Sequence, residues 1–172
     1  MRFTAGLMLA ALVAAPAVAQ TQAPAVPEAM PFDIPYGTPI SLEQAQKAIQ
    51  ASMTEAQKHK WKMAISVVDP AGNLVAFATM DGTQYASIPI AQAKARTAAL
   101  YRRPSGAFQT AINQGGSPAV ATLLALSGGA ASEGGFPIVI DGKLIGAIGA
   151  SGGIATQDAV TAKAGLEVAT SK

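Results

Sequence analysis

The sequence predicts an α+β domain, an antiparallel sheet with helices packed on it. Two observations carry this: a pair of short β-branched runs, each folded back by turn chemistry, and amphipathic segments before, between and after them. The resulting order is α-β-β-α-α-β-β-α.

The N-terminus stands apart from that domain. Met1-Arg2 precedes an uncharged run from Ala5 to Ala15, and Ala17-Val18-Ala19 supplies an A-x-A cleavage site. Residues 1–19 therefore read as a secretory signal peptide, with an apolar run too short to span a membrane. Cysteine is absent, which excludes a lipoprotein anchor, disulfides and thiolate chemistry. A periplasmic or secreted product follows. Net charge is +2, falls to +1 when Arg2 leaves with the leader, and no basic stripe with interleaved aromatics marks a nucleic-acid surface.

Residues 20–40 carry Pro24, Pro27, Pro31, Pro35 and Pro39, a spacing that forbids helix and favours an extended arm. The arm is either a flexible spacer or, because Met30, Phe32, Ile34 and Tyr36 alternate, a strap laid across a neighbouring subunit.

The domain proper covers residues 41–172. Ser41 and Gln44 form a capping box, and Leu42, Ala45, Ile49, Met53 and Ala56 follow helical spacing. Glu43 and Lys47 make a favourable i,i+4 pair, and Lys58-His59-Lys60 closes the helix where cations suit its dipole. Met63–Val68 and Leu74–Met80 are strands joined by Asp69-Pro70-Ala71-Gly72-Asn73. An alanine-rich helix spans about Ile88 to Tyr101, and Pro104 stops it. Ser105 can cap a shorter helix through Ile112, and Ala119–Leu126 is a further helical segment after Gly115-Gly116-Ser117-Pro118. Phe136–Ile140 and Leu144–Ala150 flank Asp141-Gly142, a pair that favours the I′ hairpin turn. The last helix runs from about Thr156 to Ala169.

Gly149-Ala150-Ser151-Gly152-Gly153 matches G-x-S-x-G, the nucleophile elbow of α/β-hydrolases. That elbow needs a mostly parallel sheet and a histidine downstream. Here the sheet is made of hairpins and the one histidine, His59, lies upstream, so Ser151 reads as a turn residue. The same turn can bind a ligand, because Gly149, Gly152 and Gly153 let the backbone approach it and a helix N-terminus follows. Asp158 near that helix start is either a dipole partner or a ligand contact.

Lys94 is the informative cation. At about 100° per residue, Gln92, Arg96 and Arg103 share one polar stripe of their helix, and Lys94 points about 160° away, in line with Ile90, Ala98 and Tyr101. A lysine on an apolar face needs a partner, for which Glu133 and Asp158 are the candidates, or it must snorkel to the rim. His59 has no companion at metal-ligand spacing and reads as a solvated helix end among lysines.

The stretches "ISVVDPAGNLVAFATMDG", "ASIPIAQAKARTAALYRRPS", "EGGFPIVIDGKLIGAIGASGG" and "QDAVTAKAGL" resemble the haem-binding GlcG/HbpS-like family, related to the C-terminal domain of PduO-type proteins. The match covers about residues 41–170. It implies a profilin-like domain, a compact homo-oligomer, and haem or another tetrapyrrole as the leading ligand. Many members carry histidine in the first hairpin turn, where this chain has Asn73. By the resemblance, iron ligation then falls to a tyrosine such as Tyr101, a methionine, Lys94 or His59, or is absent. Three function classes remain open: a small-molecule-binding protein, an enzyme acting on a small carboxylate metabolite through Lys94 with Glu133 or Asp158, and an assembly protein without ligand.

Overall fold

The computed structural model describes residues 28–30, 32–115 and 118–171. The signal peptide expected at residues 1–19 and the arm up to residue 27 lie outside the described residues. The account below concerns the unit that begins at Pro31.

Five helices and four strands follow one another, one helix more than the order α-β-β-α-α-β-β-α because the segment after Pro118 is a full helix: α1 (Leu42–Lys58), β1 (Ala64–Val68), β2 (Leu74–Thr79), α2 (Ser87–Leu100), α3 (Gly106–Asn113), α4 (Pro118–Ser127), β3 (Gly135–Ile140), β4 (Lys143–Ser151) and α5 (Ala155–Thr170). The capping box at Ser41 forms, and Lys47 meets Glu43 at 2.7 Å. In the second hairpin Asp141 and Gly142 both take positive φ, 49° and 73°, as a I′ turn requires.

The strands form one antiparallel sheet in the order β2-β1-β4-β3. Helices cover both faces, so all five residues of β1 are buried. On one face Ile65, Val67, Ile138, Ile148 and Ala150 meet the alanine side of α1 and Ala162 of α5. On the other, Val68 and Ala147 meet Ala95, Ala98 and Ala99 of α2. Alanine on the helix and glycine on the strand bring backbones close. A Cβ on Gly149 would overlap the Ala91 carbonyl, and one on Gly135 the Lys94 carbonyl.

The last residues of the proline-rich arm lie along their own sheet. β1 ends opposite Ala147, and Pro35–Ile40 continues along β4 beyond it. Leu144 N–H donates to Pro35 at 2.8 Å, Gly37 N–H to Leu144 at 2.8 Å and Ile40 N–H to Ile145 at 2.7 Å. These bonds satisfy backbone groups that an open sheet edge would leave unpaired. Arg102 bonds Asp33 and the Ile34 carbonyl, and Arg103 stacks on Phe32 at 4.2 Å, which fixes the start of the segment.

Ser105 departs from its expected role. Its side chain does not cap α3. The hydroxyl instead donates to the Ser132 carbonyl and accepts the Gly135 N–H at 2.9 Å. It holds the end of the loop between α4 and β3, which carries Gly128, Gly129 and Gly134, against the segment after α2.

Candidate functional site

α2 places Lys94 on its buried stripe with Ser87, Ala91, Ala95 and Ala98. α5 begins at Ala155 and presents Asp158 one turn later, also buried. The two helices cover opposite faces of the sheet, yet Lys94 Nζ reaches Asp158 Oδ2 at 2.6 Å. Their side chains are 2% and 4% exposed. The pair passes the edge strand where β3 starts, and Gly134 leaves the room. A Cβ there would lie 2.8 Å from Asp158 Cβ. Asp158 Oδ1 accepts the Gly153 N–H at 3.0 Å, so one carboxylate ties α2, α5 and the turn between β4 and α5 together.

Desolvating both charges offsets much of their attraction, so the pair contributes orientation more than stability. It is sealed from solvent. Neither residue lines the clefts beside it, but the pair holds their walls through Ala159, which follows Asp158, and through Gly153.

Glu133 does not join Lys94. Glu133 is exposed on the rim of a cleft of about 320 Å³, lined by Pro104, Ala107, Phe136, Ala159 and Lys163. Lys163 Nζ lies 5.5 Å from the centre of the Phe136 ring, within cation–π range. Ala159 and Lys163 share one face of α5 at i,i+4 spacing and directly follow Asp158. That spacing alone does not mark a cleft, because Phe136 and Pro104 come to it from other parts of the chain.

The glycine turn divides by position. Gly149 faces the backbone of α2, while Gly152 and Gly153 line a second cleft with Trp61 and Lys62. Ser151 is the buried last residue of β4, paired with Ala64 in an antiparallel ladder. His59, the base it would need, is bonded to Glu55 at 3.1 Å and stacked on Trp61 at 4.3 Å.

The other iron-ligand candidate is also engaged. Tyr101 donates its hydroxyl to the Leu123 carbonyl at 3.0 Å and packs edge-on against Phe108. Ile90, expected beside Lys94 on the apolar face, is 39% exposed, because it falls on the edge of the buried stripe that Ala91 continues. Arg103 lies between Phe32 and Phe108 with Nε buried and unpartnered, and burial holds its pKa below the usual arginine range. Among the described residues no three acids or histidines gather as a metal site.

A family model described as "Haem degrading protein HbpS-like" matches residues 40–167, the whole sheet and nearly all the helices. The chain belongs to the HbpS-like family. Within it, Protein GlcG of Escherichia coli K12 is 41% identical over 112 residues, 65% of this chain and 81% of that protein. Among solved structures, Klebsiella pneumoniae ORFY superposes with a TM-score of 0.73 at 26% identity, covering 84% of this chain and 97% of that one. The PduOC:heme complex superposes with a TM-score of 0.71 at 23% identity, covering 76% and 95%, a likeness of fold. These HbpS-like neighbours share the four-stranded antiparallel sheet and its flanking helices.

Proposed function

We propose that this HbpS-like protein is exported and binds a tetrapyrrole in the Phe136 cleft. The family description and the haem complex of PduOC support the ligand class. The observation that carries the location is one cleft joining an apolar wall, Pro104, Ala107, Phe136 and Ala159, to the ammonium of Lys163. A tetrapyrrole offers the matching halves, a flat apolar ring and carboxylate arms. At about 320 Å³ the cleft lies at the small end of ligand sites, so it holds part of the ring and leaves the rest at the surface.

The residues fit the macrocycle and its carboxylates but not a strong iron bond. No imidazole, phenol or thioether lines this cleft, and His59, Tyr101 and Lys94 are each held by other partners. Affinity therefore rests on the ring and on Lys163. The iron, when present, supplies redox chemistry that the surrounding side chains do not direct.

An absorption titration with haemin tests the site. Lys163→Glu should weaken binding about tenfold, the scale of one lost charge-assisted contact. Unchanged affinity in that variant would remove the cleft from the account. Export is tested by the mature terminus, which should begin at Gln20; an intact Met1 on periplasmic material would contradict it.

A further inference from the structure

The end of α1 carries an unusual backbone. His59 and Lys60 N–H groups donate to Ala56 and Gln57, and Trp61 N–H donates to Ala56 at 2.9 Å, closing the helix. The left-handed residue of such a closure is usually glycine, yet here it is Lys60 at φ 58°. A left-handed non-glycine residue carries a free-energy cost and persists where its surroundings hold it, often at functional positions.

What this turn presents is a cleft of about 320 Å³ lined by Lys60, Trp61, Lys62, Gln84, Gly152 and Gln157, with further glycines at its edge. The lining carries two lysines, one indole and two side-chain amides, and no carboxylate. Among the described residues neither lysine forms an ion pair, whereas Lys47, Lys58 and Lys94 each do. Uncompensated like charges within a concave surface raise the local concentration of anions. The start of α5 adds little, because the Gly153 and Ile154 amides already donate to Asp158 and Gln157. The lysines and the amide side chains are the recognition groups.

The geometry points to a second ligand site here, separate from the Phe136 cleft, for a small anion bearing a phosphate or carboxylate group. The two clefts share no lining residue. Gly153 lines this cleft and also donates to the buried Asp158, so an occupant touches the turn that the Lys94–Asp158 pair fixes.

Trp61 is the only tryptophan in the chain, so its fluorescence reads this cleft alone. The full chain is titrated with inorganic phosphate, AMP and succinate to about 10 mM at constant ionic strength. A saturable change is expected with the phosphate arm, the carboxylate arm or both, and the arms tell which group is recognised. Lys60→Gln with Lys62→Gln should weaken that binding at least about tenfold. Both side chains are exposed, so the circular dichroism melt should not move, and haemin affinity should match wild type. No saturable change with any probe, or a change that survives the double substitution, would overturn the site. Either failure leaves the tetrapyrrole reading standing, because haemin is read at the other cleft.

Discussion

Lys94 and Asp158, 64 residues apart, meet at 2.6 Å in a place that water does not reach. The contact joins helices from opposite faces of the sheet, and it makes each residue hostage to the other. Lys94→Met keeps the volume but strands a buried carboxylate, which costs about 3 to 5 kcal/mol. Adding Asp158→Leu removes the stranded charge and should restore much of that loss, less the bond from Gly153. Urea unfolding of both variants checks this. Equal or greater loss in the double variant would mean that the pair itself is the stabilising element.

Gly149 and Ser151 lie in one strand and should respond in opposite ways. A methyl on Gly149 meets the α2 backbone, which cannot yield as a side chain can, so Gly149→Ala should cost about 1 to 3 kcal/mol or more. Ser151→Ala should leave fold and ligand binding near wild type, since no base stands beside it. Loss of a measured hydrolytic activity in Ser151→Ala would restore the nucleophile reading.

Asp69 organises the first hairpin turn. Oδ1 accepts the Ala71 N–H at 2.8 Å and the Asn73 N–H at 2.9 Å, and Oδ2 accepts the Asn73 side chain at 3.0 Å. Burial pushes its pKa up, but the bonds from Asn73, Ala71 and Gly72 outweigh that and hold it below the ordinary carboxylate value. With the folded pKa depressed, the stabilisation is present above the unfolded pKa, near about 4, and is lost as pH falls through the folded one. Asp69→Ala should cost about 1 to 2 kcal/mol at neutral pH and progressively less in acid. A cost independent of pH in thermal melts would contradict this.

α4 carries no charged residue, buries only Leu124, and leaves Leu123 and Leu126 52% and 81% exposed. An apolar helix so placed is a candidate subunit contact. Light scattering should give a closed oligomer that Leu126→Glu weakens. A monomer mass at micromolar concentration would remove this expectation.

Much of the fold was legible because its signals are local. The capping box at Ser41, the Asp141-Gly142 turn and the buried direction of Lys94 all follow from residues within a turn or two of each other. The site was legible in direction more than in distance. Helical spacing showed that Lys94 points inward, but choosing Asp158 over Glu133 depends on where two helices cross, which no local pattern encodes. Ser105 failed as a cap for the same reason: its hydroxyl answers to Ser132 and Gly135, far along the chain. Lys163 carries no such signal, because one lysine on an exposed helix face looks like any other until Phe136 and Pro104 are folded beside it.

The central claim is that a tetrapyrrole is held by its ring and carboxylates and not through iron. Parallel absorption titrations with haemin and metal-free protoporphyrin IX test it most directly. The account predicts affinities within about threefold of each other, less than 1 kcal/mol apart. A loss of a hundredfold or more without iron would contradict it, and would show that iron ligation carries the binding.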